Sequence, residues 1–164
     1  MEKKDKMITL VSSDGEKIQI SAKAAQRSQL VKKIIETHPD DAEIPLSNVK
    51  SIILKKIKEY LEHYQDIEPK EIERPLASQN YQECVEAWDY EYINVELDLI
   101  FEIILAANYM DIKPLLELAS SKIASIIKGK TPEEIRKTFN IQNDFTPEEE
   151  QQIRDENQWC MDNL

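Results

Sequence analysis

The chain has 164 residues, 41% of them hydrophobic, and a formal net charge of −11, which suits one compact domain with an appendage. This charge would repel a nucleic-acid backbone or an anionic membrane surface, so we expect neither as a partner. No apolar run reaches the roughly 18 residues of a membrane-spanning helix. The N-terminal MEKKDKMITL lacks the apolar stretch of a secretory signal. Cys84 and Cys160 show no ligand spacing, so we expect an intracellular protein in a reducing compartment.

The N-terminal part alternates short strands with helices. MITLVS at residues 7–12 and KIQI at residues 17–20 flank an Asp-Gly pair, which predicts a β-hairpin. Ser21 can cap a following helix, and residues 30–35 carry apolar side chains at helical spacing. The fragment at residues 44–46 contains a proline, which predicts a short strand at a sheet edge because proline lacks an N–H donor.

The clearest amphipathic helix is predicted to begin at Ser47. Lysine and glutamate occupy one side of it. The other side is apolar and predicts a face that covers a core, formed by Val49, Ile52, Ile53, Ile57, Tyr60, Leu61 and Tyr64.

Residues 66–92 predict an acidic, flexible loop. They include eight acidic residues, two basic residues and two prolines, without sustained periodicity. The aromatic residues toward the end of this segment indicate where the chain rejoins the fold, and they are Tyr81, Trp88, Tyr90 and Tyr92.

Two helices and a doubled motif make up the C-terminal half. Residues 97–109 are apolar on nearly every side, which predicts a central helix. Pro114 begins another amphipathic helix, and Gly129 is a natural end for it. Thr-Pro-Glu-Glu occurs at residues 131–134 and again at 146–149, and each copy predicts a capped helix start.

The two helices that follow this motif are short of apolar residues. Isolated helices below roughly 12–15 residues are marginal in water, so we predict that this surface completes its core on another molecule. Strands followed by helices predict an α+β domain with a helical C-terminal extension.

Patterns for catalysis, metal binding or cofactor binding are weak. The chain has two glycines, too few for a phosphate-binding loop. His38 and His63 have no spaced partners for a metal site. A hydrolase with paired carboxylates is the least favoured alternative, because no apolar pocket marks such a pair. We therefore expect no enzymatic activity, no cofactor and no metal.

The sequence between Phe101 and Cys160 resembles one known family. The segments FEIILAANYMDIK, IKGK, TPEEIRKTFNIQNDFTPEEE and ENQWC are similar to the S-phase-kinase-associated adaptor of SCF ubiquitin ligases, the subunit that links F-box proteins to a cullin. Weaker likeness in the N-terminal half covers SSDG, IPLSNV and ILKK. The resemblance implies a BTB/POZ-type domain at residues 1–65 and 93–128, with the acidic loop at 66–92 and a two-helix F-box-binding extension at 129–164.

The resemblance also implies residue roles. Asn108 and Tyr109 match a turn that faces the cullin, although a helix C-terminus alone accounts for the asparagine. Pro147 matches a proline that some protist relatives hydroxylate and glycosylate, although its place at a helix start already explains it. The F-box-facing positions, some of which also suit an ordinary core, are Ile104, Leu116, Ile123, Ile127, Phe139, Ile141, Phe145 and Trp159.

The function implied by the resemblance is that of a non-catalytic adaptor in an SCF-type ubiquitin ligase, present in cytoplasm and nucleus. Its partners would be F-box proteins and a cullin scaffold, with weak homodimerisation of the free protein. The loosely matching N-terminal half leaves one alternative, a BTB-type module that binds F-box partners outside a cullin complex.

Overall fold

The computed structural model describes residues 6–39 and 43–158. The chain divides into two compact units, Met1–Ile126 and Ile127–Leu164. None of the helices within the described residues has the length and apolar character needed to cross a membrane.

A three-stranded sheet begins the larger unit. Strands β1 (Met7–Val11) and β2 (Lys17–Ser21) pair antiparallel. The turn between them needs the positive φ of +82° at Gly15, which glycine adopts without steric cost. Strand β3 (Glu43–Pro45) lies parallel to β1, so the strand order is β2-β1-β3. The predicted hairpin and edge strand are both confirmed.

The core of the larger unit is formed where six helices pack with this sheet. Helix α3 (Ser51–His63) packs against β2, α1 (Ala22–Ala25) and α5 (Leu97–Tyr109). Apolar side chains without exposed surface fill the interior, among them Leu10, Ile20, Leu54, Ile57 and Ile103. The helices are α1 (Ala22–Ala25), α2 (Gln29–Thr37), α3 (Ser51–His63), α4 (Ala87–Ile93), α5 (Leu97–Tyr109) and α6 (Lys113–Ile127).

Helix α3 begins later than its sequence pattern predicts. It starts at Ser51, so the predicted start at Ser47 is wrong. The carboxylate of Asp14, in the hairpin turn, accepts hydrogen bonds from the Ser51 N–H at 2.9 Å and from the Ser51 hydroxyl at 2.7 Å. Hydrogen bonds from Ser12 and Ser51 lower the pKa of Asp14 to about 2. The helix start is therefore fixed by a residue 37 positions away.

The acidic segment is more ordered than predicted. It contains a 3₁₀ turn at Tyr81–Glu83 and the whole of α4, so the prediction of a loop as far as residue 92 is wrong. Tyr81 and Tyr92 are buried. Tyr92 donates to the carbonyl of Lys56 at 2.8 Å. The aromatic residues of the acidic segment do mark the return of the chain to the fold, as predicted.

An aromatic cluster joins α3 to α4. His63 and Trp88 stack with ring centroids 3.7 Å apart. Asp89 is buried beside them and accepts a hydrogen bond of 2.7 Å from the Tyr64 hydroxyl. Burial raises the pKa of the Asp89 carboxyl, and the Tyr64 hydrogen bond opposes that rise. The hydrogen bond therefore compensates part of the cost of burying this carboxylate.

The turn between α5 and α6 is held by the start of α2. The buried Ser28 hydroxyl donates to the Met110 carbonyl at 2.6 Å across 82 residues of sequence. The same oxygen accepts from the Val31 N–H at 3.2 Å, which caps α2. Asp111, in this turn, has a positive φ of 52°, and its backbone carbonyl accepts a hydrogen bond from the Gln29 N–H. One serine thus serves both a helix cap and a long-range contact.

Replacing Ser28 with alanine tests this connection. Ser28→Ala removes the cap and one of the two donors to the Met110 carbonyl, which keeps the Leu30 N–H at 3.3 Å. We expect the free energy of unfolding to fall by about 1–3 kcal/mol. Urea denaturation measures the change. The matched control is Ser125→Ala, because that hydroxyl donates to the Lys122 carbonyl of its own helix, and we expect the free energy of unfolding to change by about 0.5 kcal/mol or less. Equal effects of the two variants would contradict the assigned role of Ser28.

Candidate partner-binding surfaces

The smaller unit contains two helices with the same start. Helix α7 (Pro132–Thr138) and helix α8 (Pro147–Glu156) each begin with a complete capping box. In α7 the Thr131 hydroxyl oxygen accepts from the Glu134 N–H at 3.3 Å, and the Glu134 carboxylate accepts from the Thr131 N–H at 2.8 Å. Thr146 and Glu149 repeat these distances in α8. The predicted capped starts are confirmed.

Polar contacts join α7 to α8. Arg136 Nη2 lies 2.9 Å from Glu150 Oε1, and Arg154 Nη2 lies 2.7 Å from Glu133 Oε1. Backbone hydrogen bonding lowers the pKa of Glu133 first of all, and Arg154 and Arg136 lower it further. Exposed ion pairs each stabilise a fold only modestly, so the two helices are aligned by these contacts without a large apolar core.

The large apolar side chains of the smaller unit are mostly exposed. Neither α7 nor α8 contains a buried residue. Ile141 and Phe145, in the connection between the two helices, are 54% and 52% exposed. Ile153 on α8 is also exposed. Exposed apolar side chains next to capped helices are typical of a protein-interaction surface.

The predicted F-box-facing residues divide between the two units. In the larger unit the half-buried members are Ile104, Leu116 and Ile123, and in the smaller unit Phe139 is half-buried while Ile127, Ile141 and Phe145 are exposed. Trp159 lies outside the described residues. Pro147 is the first residue of α8, so helix initiation accounts for it. F-box contact by these residues stays a prediction.

Helix α5 has a second exposed surface. Phe101 is 40% exposed, Leu105 is 66% exposed, and the predicted cullin-facing Asn108 is exposed as well. Residues at this spacing lie on one helix face. Tyr109 is half-buried at the end of the helix. We call the face formed by Phe101, Leu105 and Asn108 the α5 stripe.

The α5 stripe corrects the prediction that α5 is central on nearly every side. The helix buries Ile100, Ile103, Ala106 and Ala107, which fills the side that faces the core. Ile52 of α3, predicted on a core-covering face, is also exposed. Sequence reasoning missed Phe101 and Leu105 because it took α5 as a central helix, and it missed Ile52 because it placed that residue on a core-covering face. The available signal was the excess of apolar positions over what one buried face can hold.

Catalytic chemistry finds little support in the part of the chain that the structure describes. Within it, no group of three or more His, Cys, Asp or Glu side chains is arranged to hold a metal ion. His63 is stacked on Trp88. A small sheet packed with helices, together with exposed apolar side chains on α5 and in the α7–α8 connection, defines an α+β protein-interaction domain with a helical extension.

Comparison with known proteins gives the family. Residues 6–66 match the model for the Skp1 family, tetramerisation domain, and residues 113–160 match the model for the Skp1 family, dimerisation domain. An S-phase kinase-associated protein 1 homolog of Tetrahymena thermophila is 52% identical over 98% of this chain and 97% of its own length. The E3 ubiquitin ligase complex SCF subunit sconC of Arthroderma benhamiae is 49% identical over 93% and 94%. The chain belongs to the Skp1 family, whose first domain has a BTB/POZ-type fold, and the predicted α+β fold is confirmed.

The capping boxes give a prediction about the smaller unit. Thr146→Ala removes the hydroxyl that accepts from the Glu149 N–H, so we expect α8 to lose about 1 kcal/mol of local stability. Amide hydrogen exchange of α8 measures this as roughly fivefold faster exchange. The control is Thr138→Ala, whose hydroxyl only donates back to the Glu134 carbonyl. Unchanged exchange in Thr146→Ala would refute a stabilising role for the cap.

The capping boxes also predict how the stability of the helix changes with pH. Backbone and side-chain hydrogen bonds from Thr131 lower the pKa of Glu134 below its ordinary value of 4.5. A carboxyl whose pKa is lower in the folded helix stabilises that helix above its ordinary pKa, and loses the effect as the pH falls through the lowered value.

Proposed function

We propose that this chain is the non-catalytic adaptor of an SCF-type E3 ubiquitin ligase, which binds an F-box protein and a cullin at separate surfaces. The observation that carries the proposal is the pair of exposed apolar surfaces on a fold whose relatives are named as SCF subunits. Neither surface is needed for the core of the larger unit, which is complete without them.

The F-box partner binds through the exposed apolar side chains of the smaller unit. Ile141 and Phe145 are large, exposed and fixed next to a capped helix. An F-box is a small helical motif, and helices bind partners through spaced apolar anchors that enter an apolar surface. Aromatic anchors such as Phe145 carry a large share of binding energy in such interfaces.

The cullin binds at the α5 stripe. Leu105 is the most exposed of the large apolar side chains on this helix, and Asn108 extends the same face to the α5–α6 turn. The turn itself is held by the Ser28 hydroxyl and by the Gln29 and Leu30 N–H groups at the start of α2. A surface on a rigid helix that ends in a fixed turn loses little conformational freedom on binding, which favours affinity.

An adaptor of this kind accelerates ubiquitin transfer without chemistry of its own. It holds the substrate receptor and the scaffold in one assembly, which raises the effective concentration of the substrate at the catalytic partner. Such a role needs two surfaces and no catalytic residue.

The description of residues 113–160 as a family dimerisation domain supports self-association of the free chain through this part of the sequence.

The alternative of a module that acts without a cullin has lost its motivating observation. It rested on the loose resemblance of the N-terminal half. Residues 6–66 match the family model, and the Tetrahymena relative is similar over nearly the whole chain.

The F-box surface is tested by truncating its exposed anchors. Ile141→Ala and Phe145→Ala should each weaken binding to a recombinant F-box motif, taken from a protein that co-purifies with this chain, by tenfold or more, about 1.4 kcal/mol. Isothermal titration calorimetry measures the affinity. Ile67→Ala is the matched control, because Ile67 is 57% exposed in the larger unit. Unchanged affinity in both anchor variants would remove them from the interface.

The cullin surface is tested with an added charge. Leu105→Arg places a cation on the α5 stripe, and the exposed position tolerates the longer side chain, so we expect at least tenfold weaker binding to a cullin N-terminal domain. Ile67→Arg, an isoleucine-to-arginine change at an exposed site, is the control. F-box affinity should stay constant in both variants. Full cullin affinity in Leu105→Arg would exclude this face as the scaffold site.

A further inference from the structure

A groove on α6 lies beside the returning acidic segment. Its volume is about 540 Å³, within the roughly 300–1,000 Å³ of binding pockets. One wall is formed by residues 72–76, and the other is a face of α6 with Leu116, Ser120 and Ala124. We call residues 72–76 the strap.

The strap is fixed to the larger unit by several contacts. Ile72 and Leu76 are half-buried and pack against the hydrophobic core. Arg74 Nη2 lies 2.7 Å from Glu117 Oε1 on α6. A few residues further on, the Tyr81 hydroxyl shares a hydrogen bond of 2.8 Å with the Ser121 hydroxyl. Contacts from the strap itself and from the residues that follow it therefore join this segment to α6.

Helix α6 separates the core from this groove. It buries Leu115, Leu118 and Ala119 on one side. Leu116, Ser120 and Ala124 follow one another at intervals of one helical turn and line the groove. Ser120 and Ala124 are exposed, and Leu116 is half-buried. The groove is thus an open, partly apolar channel along the helix.

Continuity with the F-box-facing residues identifies the occupant. Leu116 lines the groove and is also one of the positions assigned to F-box contact, and Ile123 lies on the following turns of the same helix. An F-box helix that contacts Leu116 has the strap as its next neighbour. The half-buried Ile72 and Leu76 offer apolar surface on that side.

We propose that the strap and α6 form an F-box-binding groove on the larger unit, and that an apolar side chain on an F-box helix inserts between them. This inference rests on the proposed adaptor function and extends it. It assigns part of the F-box specificity to residues 72–76, inside the segment whose composition predicted only a solvated loop. Ile72 and Leu76 act as specificity-determining contacts.

The test compares two isoleucines of the same connecting segment in the full chain. Ile72→Ala removes apolar surface from the groove, and Ile67→Ala removes it from an exposed site that does not line the groove. We expect F-box affinity to fall tenfold or more in Ile72→Ala and to stay within twofold in Ile67→Ala. Binding of Ile72→Ala within twofold of the unchanged chain would overturn the inference. Tighter binding would overturn it as well, because the strap would then obstruct the surface.

A second measurement needs no substitution and so does not depend on how the variants fold. Amide hydrogen exchange of the unaltered chain is followed with and without the recombinant F-box motif. Slower exchange in peptides that cover residues 70–80 on complex formation supports direct contact, and unchanged exchange there contradicts it. Cullin affinity of Ile72→Ala reports whether the larger unit is intact.

The two hypotheses fail in different ways. If the unaltered chain does not bind the F-box motif, the proposed function is wrong. If it binds and Ile141→Ala weakens binding while Ile72→Ala does not, the adaptor function stands and only the role of the strap is excluded.

Discussion

The buried contact between Ser28 and the Met110 carbonyl is the constraint on which the placement of both helical surfaces of the larger unit depends. It joins the start of α2 to the turn where α5 ends and α6 begins. From this turn α5 presents its stripe, and α6 presents the groove beside the strap. A buried carbonyl must find donors or incur a desolvation cost. The Ser28 hydroxyl and the Leu30 N–H both donate to the Met110 carbonyl, and the Gln29 N–H donates to the Asp111 carbonyl, so the first turn of α2 holds this turn in place.

The smaller unit shows a different balance of forces. Its helices are stabilised at their ends by capping boxes and between them by Arg136–Glu150 and Arg154–Glu133 ion pairs. Local hydrogen bonds and ion pairs orient a helix but bury little apolar surface. Ile141 and Phe145 therefore remain exposed in the free chain. A partner that covers them gains apolar burial without first having to order the helices.

Both surfaces of the larger unit arise from the way in which a helix packs against a core. A helix against a core buries one side, and α5 and α6 carry apolar residues beyond that side. On α5 the surplus appears as Phe101 and Leu105, and on α6 it appears as Leu116 in the wall of a groove. These additional apolar residues lie on the surfaces that we propose for binding the two partners.

The sequence by itself determined the features that depend on neighbouring residues. The hairpin at Gly15, the two capping boxes, the end of α6 near Gly129 and the family likeness between Phe101 and Cys160 were all legible, because turns, caps and motifs are set by residues a few positions apart. Only the tertiary structure decided the rest. Asp14, in a distant turn, fixes the start of α3, and the Tyr81 hydrogen bond to Ser121 joins the acidic segment to α6. Packing determines which apolar residues of α5 remain exposed. Those outcomes depend on which elements pack against each other, and a linear pattern of apolar and polar residues does not specify that packing.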